Sequence, residues 1–281
     1  MSVLRSVLYM PSSNERALEK AKAIAADAII FDLEDAVAPD AKESARGNAV
    51  AAVQSGEYGG KTLTIRCNGL ETPWGASDLE AASAAKPHAV VIPKVSGAAH
   101  LKQIAEVTGD TPLWAMVETP AALFNIREIA GFPTVSALVM GTNDLVKELR
   151  AAMVPGRGPL LPHLALALAG AREAGKAILD GVYNDVKDPD GFLAECRQGQ
   201  ELGFDGKTLI HPSQVEPCNE VWAPTADEVE HARRVIDAFA EAERDGRGVV
   251  TVDGRMVENL HRDIAQRVLE TADAIAALAT S

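Results

Sequence analysis

The sequence predicts an α/β fold, a (β/α)₈ or TIM barrel that is followed by a C-terminal helical extension. Eight short apolar segments alternate with longer segments rich in Ala, Glu and Lys between residues 3 and 210. Several apolar segments, such as AVVIP and ALVMG, are apolar throughout, which is typical of parallel strands buried on both faces. The length of 281 residues suits a barrel of roughly 250 residues.

An open, doubly wound sheet is the alternative that the same alternation allows. Its dinucleotide-binding form requires a G-x-G-x-x-G turn after the first strand. The corresponding turn in this chain reads MPSSNER and contains no glycine. The sequence therefore argues against a dinucleotide-binding fold. The number of strands alone is compatible with an open sheet as well as with a barrel.

The elements follow from the alternation of apolar and helical segments, which indicates βαβ units. Strands are predicted over Val3–Tyr9, Ala28–Leu33, Thr62–Cys67, Ala89–Lys94, Leu113–Val117, Ser136–Met140, Ala177–Gly181 and Gly206–Ile210. Helices are predicted between them over Asn14–Ala25, Asp40–Gln54, Ala76–Ala85, Gly97–Val107, Pro120–Ile129, Pro159–Gly175 and Phe192–Leu202.

The pattern changes beyond the eighth strand. Thr225–Arg244 is strongly helical, with Thr225 or Asp227 available as its N-cap. A turn-rich stretch with a hairpin signal at VVTVDGRM follows, and Glu258–Leu278 is predicted as the last helix. From this pattern alone, the extension could pack back on its own barrel or reach across to another subunit. The chain is accordingly divided into a catalytic barrel and an extension, residues 1–222 and 223–281.

Charge and composition exclude several classes of protein. With 27 Lys and Arg against 40 Asp and Glu, the net charge is −13, which argues against a nucleic-acid binder because such proteins carry a basic face. No apolar run reaches the roughly 18 residues of a membrane span. The first residues, interrupted by Arg5, do not form a signal peptide. The three cysteines lack disulfide or zinc spacing, so we expect a cytoplasmic location.

Polar residues follow nearly every predicted strand. In a barrel, such residues at the carboxyl ends of strands are typical of catalytic groups. Their agreement in position carries the argument, since no single one is persuasive. In chain order after strands two to six and eight, they are Asp32, Glu34, Asp35, Arg66, Asn68, Lys94, Glu118, Asn143, Asp144 and His211.

Each of these residues also has a structural interpretation. Asp144 would serve as the start of a helix, and Arg66 as either an anion clamp or half of a core ion pair. His211, before a proline, is better explained as a loop histidine than as a catalytic base. Glu118 is harder to explain in this way, because a carboxylate at the mouth of an apolar core needs a partner or a metal.

Metal-assisted chemistry fits this set of residues. Glu118 and Asp144 follow consecutive strands and offer two hard oxygen ligands, and Mg²⁺ typically takes one or two carboxylates with water and substrate oxygens. Arg66 offers bidentate binding of a substrate carboxylate. Together they suit a 2-oxo acid or a hydroxy acid, because the cation stabilises the charge that develops on its oxygen.

These residues, in this order, resemble the citrate lyase β-subunit-like family, which is the HpcH/HpaI aldolase superfamily of CoA ester lyases. The resemblance runs from Arg5 to about Val215, and a weaker one includes the tail GRMVENLH. The matching segments are RSVLYMPSSN, FDLEDAVAPDAKESAR, IRCNG, VIPKV, MVET, GTNDL, DGVYNDVKDPDGF and GFDGKTLIHPSQV. The resemblance implies a TIM barrel with a C-terminal extension that packs on a neighbouring subunit, in a homotrimer or a hexamer.

The resemblance also implies roles for individual residues. Glu118 and Asp144 match the Mg²⁺ ligands, with Glu118 also at the substrate, and Arg66 matches the residue that holds the oxo-acid carboxylate. Three further positions match the side where CoA binds, and they are Tyr9, Asn14 and Lys20. Family members often carry Arg at the position that Asn14 occupies here. The family's catalytic acid is usually an Asp from a neighbouring subunit in a Met-Ile-Asp-like motif. Here that motif reads MVE, so Glu258 is the matching residue. Apart from the resemblance, we take Asp35 or Glu34 as the second candidate for a catalytic carboxylate, one that orients the waters of the metal.

The implied activity is that of a CoA ester lyase, a carbon–carbon lyase. It would cleave or form a 3-hydroxyacyl-CoA such as malyl-CoA or citramalyl-CoA, with glyoxylate or pyruvate as the 2-oxo acid. Hydrolysis of the malyl-CoA thioester is the alternative, and a citrate lyase β subunit that needs partner chains is a third possibility. Mg²⁺ is the expected cofactor, coenzyme A is part of the substrate, and neither nucleic acid nor membrane is expected as a partner.

Overall fold

The computed structural model of the chain describes residues 3–244 and 250–278. The chain divides into two compact units, Leu4–Glu220 and, beyond it, the described part of Val221–Ser281. None of the described helices combines the length and the apolarity needed to cross a bilayer.

The first unit is built on a closed barrel of eight parallel strands. The strands are β1 (Ser6–Pro11), β2 (Ala28–Asp32), β3 (Thr62–Arg66), β4 (Ala89–Ile92), β5 (Leu113–Val117), β6 (Val135–Met140), β7 (Ala177–Asp180) and β8 (Gly206–Leu209). Because β1 pairs with both β2 and β8, the sheet has no free edge. The predicted TIM barrel is confirmed, and the open doubly wound sheet is excluded.

Helices of different lengths connect the strands of this unit. They are α1 (Glu15–Ala21), α2 (Lys42–Gln54), α3 (Gly75–Ala85), α4 (Ala98–Thr108), α5 (Pro120–Phe124), α6 (Ile126–Ala130), α7 (Thr142–Leu149), α8 (Leu161–Glu173) and α9 (Pro189–Leu202), and α10 (Val215–Trp222) follows β8. The single helix predicted over Pro120–Ile129 is wrong, because Asn125 leaves the helical region (φ −104°, ψ 16°) and separates α5 from α6.

The barrel interior is filled by apolar side chains from its strands. This interior core includes Val7, Ala28, Ile30, Ala89, Val91, Trp114, Met116, Ala137, Val139 and Leu179. Burial of this kind, at about 25 cal/mol per Å² of apolar surface, is the main favourable contribution to folding. The filled interior makes the barrel a rigid support for the residues at its carboxyl end.

The second unit has a hydrophobic core of its own. It contains α11 (Ala226–Arg244), β9 (Val250–Val252), β10 (Arg255–Val257) and α12 (Asn259–Leu278). Phe239, Val250, Val257 and Ala265 are among the residues buried between these elements. The predicted hairpin is confirmed, with its turn at Asp253 and Gly254, which both have positive φ.

Thr225 is the N-cap of α11. Its hydroxyl accepts the N–H of Glu228 at 3.2 Å, and the Glu228 carboxylate accepts the N–H of Thr225 at 2.8 Å. This reciprocal arrangement is a capping box. Of the two N-caps that the sequence allowed, the structure has Thr225, and Asp227 lies in the first turn.

Candidate active site

A cavity of about 270 Å³ opens at the carboxyl end of the barrel strands, and we call it the mouth cavity. Parallel strands all end at this edge, so the polar residues that follow them converge there. Seven residues that the sequence names as candidates are brought together in its wall, namely Tyr9, Asp32, Asp35, Arg66, Glu118, Asn143 and Asp144. The lining residues are Tyr9, Asp32, Asp35, Ala36, Arg66, Met116, Glu118, Met140, Gly141, Thr142, Asn143, Asp144, Val182, Thr208 and Ile210.

Arg66 ends β3 and is buried beside Asp32, which ends β2. The two residues are partners in the parallel register of these strands. Nε and Nη2 of Arg66 each donate to one carboxylate oxygen of Asp32 at 2.7 Å, and the guanidinium lies 4.8 Å from the centre of the Tyr9 ring. The bidentate pairing predicted with a substrate carboxylate is therefore made with Asp32, because the register places that carboxylate alongside.

The remaining nitrogen of Arg66, Nη1, faces the acidic loop, which we define as residues 33–36. Nη1 lies 2.8 Å from Glu34 Oε2 and 3.4 Å from Asp35 Oδ2. The other oxygen of Glu34 accepts a hydrogen bond from Lys94 Nζ at 3.2 Å. Two cations thus hold Glu34, which is buried, whereas the Asp35 side chain is 66% exposed and lines the cavity.

Burial and neighbouring charges act in opposite directions on these groups. Burial alone would raise the pKa of Asp32, but the Arg66 charge and the hydrogen bonds from Arg66 hold it below its ordinary value. At Glu34, burial outweighs Arg66 and Lys94 and raises the pKa. Burial also raises the pKa of Tyr9, so its phenol stays protonated beside the guanidinium.

Glu118 follows β5 and is almost wholly buried. Burial raises the pKa of Glu118 to about 7, and the backbone N–H of Lys94, which donates to Oε1 at 2.6 Å, opposes the rise. Glu34 and Asp144 repel the Glu118 charge and add to the increase. Gly141 allows this position, because a Cβ there would lie 2.3 Å from Glu118 Oε2. The site therefore holds a carboxyl whose charge changes near neutral pH.

The carboxylates of Glu118 and Asp144 are suitable ligands for a hydrated Mg²⁺. Asp144 lies in the first turn of α7, directly after β6, and lines the same cavity as Glu118. Across residues 3–244 and 250–278, no three His, Cys, Asp or Glu side chains are grouped so as to hold a metal by themselves. Two carboxylates with open positions are the donor set that Mg²⁺ takes when water and substrate oxygens supply the rest.

Glu34, which is buried beside Arg66 and Lys94, and three other residues with predicted catalytic or binding roles lie outside the wall of the mouth cavity. Asn14 caps α1, with its side-chain oxygen accepting the N–H of Ala17 at 3.1 Å, and Lys20 is exposed on the same helix. Glu258 belongs to the second unit, where it is exposed directly before α12 and its N–H donates to His261 Nδ1 at 3.0 Å. Their roles toward CoA and in proton transfer stay predictions.

His211 makes local contacts at the end of β8. Its Nδ1 lies 2.7 Å from the Ser213 hydroxyl and accepts the N–H of Ser213 at 3.2 Å, which caps the turn that follows. The interpretation of this residue as a loop histidine agrees with these contacts. It contributes nothing to the wall of the mouth cavity.

Two sets of buried polar residues outside the wall of the mouth cavity were missed. Lys207 and Asp180 are fully buried partners at 2.9 Å on β8 and β7, joined by Arg157 at 2.7 Å from Asp180. Asp180 ends its strand as Asp32 does, and that position could have identified it. Lys42, in α2 behind the acidic loop, had no comparable signal, because one lysine in a helical segment looks like a solvated residue.

Comparisons with known proteins agree with this architecture. The family described as HpcH/HpaI aldolase/citrate lyase matches residues 5–212. A second family, described as C–C bond lyase of the TIM-barrel fold, matches residues 159–276. The chain is 53% identical over 277 residues to the (3S)-malyl-CoA thioesterase of Cereibacter sphaeroides (strain ATCC 17023), covering 99% of this chain and 97% of that one.

Other relatives carry lyase names. The chain is 36% identical to the citrate lyase subunit beta of Escherichia coli (strain K12), covering 96% of this chain and 93% of that one. Among solved structures, it resembles protein CitE from Mycobacterium tuberculosis in complex with magnesium, acetoacetate and coenzyme A. The TM-score is 0.80 at 29% identity, covering 97% of this chain and 99% of that one. From these matches and its barrel, the chain belongs to the HpcH/HpaI aldolase/citrate lyase family.

Proposed function

We propose that this chain hydrolyses the thioester of malyl-CoA or a closely similar hydroxydicarboxylic acyl-CoA, with Mg²⁺ at the mouth cavity. The observation that carries the proposal is the likeness, along nearly the whole chain, to the thioesterase from Cereibacter sphaeroides. The mouth cavity supports the proposal, because Arg66, Glu118 and Asp144 line this one cavity, which suits a small acid with a carboxylate and a hydroxyl.

Arg66 would hold the free carboxylate of the acyl group. Its Nε and Nη2 remain with Asp32, so Nη1 is the nitrogen that the substrate meets. A substrate carboxylate there would replace Glu34 or Asp35 as the acceptor, in a charge-assisted hydrogen bond. The Asp32 pair keeps the guanidinium plane fixed, which orients the bound acid.

Glu118 and Asp144 would hold the Mg²⁺. Bound there, the cation would polarise a substrate oxygen as negative charge develops on it. Glu118 must lose its proton to act as a ligand, and the pKa of about 7 makes that loss easy at neutral pH. The N–H of Lys94 keeps one oxygen of Glu118 in place meanwhile.

Hydrolysis also needs a carboxylate that takes a proton from water. The water oxygen bonds to the thioester carbon, the C–S bond breaks, and the CoA thiolate takes up a proton, giving the free acid and CoA. We assign the proton transfer to Glu258 of a neighbouring copy in a homotrimer or hexamer, with Asp35 or Glu34 as the second candidate. The raised pKa of Glu34 brings it closer to the range useful for a general base.

Carbon–carbon cleavage is the second candidate function. The C–C bond lyase family match and the resemblance to CitE favour it. In that reaction a base removes the hydroxyl proton and the bond between the carbinol carbon and the α carbon breaks. Glyoxylate or pyruvate forms, and the enolate of the acyl-CoA takes a proton from a carboxylate. A role as one subunit of a citrate lyase complex would require partner chains for turnover.

The test uses the purified chain alone with malyl-CoA and Mg²⁺. We expect free CoA to accumulate without the formation of acetyl-CoA. Addition of EDTA should stop this release of CoA. Arg66→Lys should lower kcat/KM about 100-fold on malyl-CoA, because an ammonium lacks the planar fork that Asp32 holds. The loss on 3-hydroxybutyryl-CoA, which has no distal carboxylate, should be much smaller. Acetyl-CoA as the main product would favour the lyase, and no turnover without partner chains would favour the subunit role.

A further inference from the structure

One buried lysine, Lys42, binds the backbone of the acidic loop. Lys42 Nζ donates to the backbone oxygens of Leu33 and Glu34, each at 2.7 Å, and to Asn68 Oδ1 at 2.8 Å. These three acceptors use all three N–H groups of the ammonium. Only 5% of Lys42 is exposed, and its Nζ lies 5.2 Å from the centre of the Trp74 ring.

The acceptors of Lys42 are themselves fixed by buried polar contacts. Asn68 donates from Nδ2 to the oxygen of Leu33 at 2.8 Å and to Asp78. Asp78, which is fully buried, accepts a hydrogen bond from Arg46 Nε at 2.7 Å. A chain of contacts therefore connects α2 and α3 to the backbone of the acidic loop.

This backbone decides where two mouth residues lie. The oxygen of Glu34, which Lys42 binds, also accepts the N–H of Val37 at 3.1 Å, so it anchors both sides of the loop. From this loop, Glu34 reaches Arg66 and Lys94, and Asp35 reaches the cavity. Displacing a catalytic group by about 1 Å can cost about 100-fold in rate.

We propose that Lys42 is a positioning residue, which holds the acidic loop so that Glu34 and Asp35 face Arg66 at the mouth of the barrel. It touches no substrate, and it acts through two backbone oxygens. The kinetic part of this inference rests on the proposed function, whereas the structural part does not, and the two are tested separately.

The chain offers a matched control in Lys61. This lysine is half-buried, whereas Lys42 is buried, and it too donates to two backbone oxygens, those of Lys22 at 2.9 Å and Tyr58 at 3.4 Å. Burial lowers the pKa of both Lys42 and Lys61. Lys61 lies just before β3, at the end of the barrel opposite the mouth. Replacing it therefore removes a similar lysine without touching the acidic loop.

The structural test is hydrogen exchange of the substrate-free protein. In Lys42→Met, we expect amides of residues 33–37 to exchange at least about tenfold faster, because the loop opens more often once its two oxygens lose their donor. Lys61→Met should leave exchange in that segment unchanged. Equal exchange in both variants and the wild type would overturn the proposal, whether or not the protein turns over malyl-CoA.

The kinetic test compares the same variants on the substrate that the wild type uses. Lys42→Met should lower kcat about 100-fold and change KM by less than about threefold, since the binding groups remain while the carboxylates move. Lys61→Met should keep the wild-type kcat. If Lys42→Met does not fold, Asn68→Ala decides: faster loop exchange with a lower kcat supports the proposal, and wild-type values for both overturn it.

Discussion

Two buried carboxyls at the barrel mouth differ in charge because of what lies beside them. Asp32 receives two hydrogen bonds from Arg66, and its pKa is held low. Burial raises the pKa of Glu118 to about 7; repulsion from Glu34 and Asp144 adds to the rise, and one backbone N–H opposes it. The first carboxyl serves to orient Arg66, and the second is free to exchange its proton for a metal.

The proton on Glu118 predicts how metal binding depends on pH. Because Mg²⁺ needs the carboxylate form, and a raised pKa keeps the proton on at lower pH, affinity should fall as pH falls. For one group with a pKa of about 7, the ionised fraction drops about tenfold from pH 8 to pH 6, and Mg²⁺ affinity should drop with it. Titration calorimetry at the two pH values measures this.

Glu118→Gln provides the comparison for that measurement. The variant should lose Mg²⁺ affinity by more than the roughly 10–100-fold that outer-shell changes cost, and Glu106→Gln, an exposed residue of α4, should bind Mg²⁺ as the wild type does. Affinity that is unchanged between pH 6 and pH 8, or retained in Glu118→Gln, would contradict the role given to Glu118.

Part of the site follows from the sequence and part does not. Residues that end strands, such as Arg66 and Glu118, were identified because a barrel brings all strand ends to one rim. The pairing of Asp32 with Arg66 was not identified from the sequence. It depends on the register between β2 and β3, which the pattern of apolar residues does not determine. Lys42 was missed for a different reason, since its partners are backbone oxygens that no side-chain pattern reveals.

At the scale of elements, apolar runs predicted all eight strands, with β1 beginning at Ser6 rather than Val3. Helix ends were less predictable, because they depend on caps and breaks. The helix α10 (Val215–Trp222) was missed, since it follows Pro212 with only a short turn between and is brief. The break at Asn125 was missed because its residue type fits either a helix end or a loop.

The closure of the barrel between β8 and β1 predicts an effect on stability. A Cβ at Gly206 would lie 1.8 Å from the backbone oxygen of Leu4, and backbone cannot move aside cheaply. Gly206→Ala should therefore lower the free energy of unfolding by about 3 kcal/mol or more, at or beyond the usual range for overpacking. The midpoint of urea unfolding reports the change.

Gly47 supplies a control of opposite sign. It is exposed within α2, and a Cβ there would meet nothing within 4 Å. Gly47→Ala should raise the free energy of unfolding by about 0.5–1 kcal/mol, because alanine loses less backbone entropy in a helix. A Gly206→Ala protein as stable as Gly47→Ala would show that β1 and β8 approach less closely than described.

At the scale of the whole molecule, the barrel unit contains the mouth cavity and the second unit contains Glu258. Each unit has its own buried apolar cluster, so each has the means to hold its shape. The proposal that a neighbour supplies Glu258 joins the two through assembly. It also gives the extension a function that the barrel residues alone do not explain.

Mixed oligomers test that proposal. Glu258→Ala and Glu118→Gln should each be inactive alone, the first with Mg²⁺ binding intact. After subunit exchange, a fraction of sites would pair an intact Glu118 with an intact Glu258, and we expect up to about a quarter of the wild-type activity to return for random pairing. Native mass spectrometry verifies exchange. Exchanged oligomers without any recovered activity would exclude a shared site.

The proposed hydrolysis requires that water attacks the thioester carbon at this barrel mouth. Its most direct test is a single turnover of malyl-CoA by the purified chain in H₂¹⁸O with Mg²⁺, with products identified by mass spectrometry. Hydrolysis should give one molecule of free CoA per substrate and malate that carries one ¹⁸O in a carboxyl group. Acetyl-CoA and glyoxylate in place of labelled malate would contradict it.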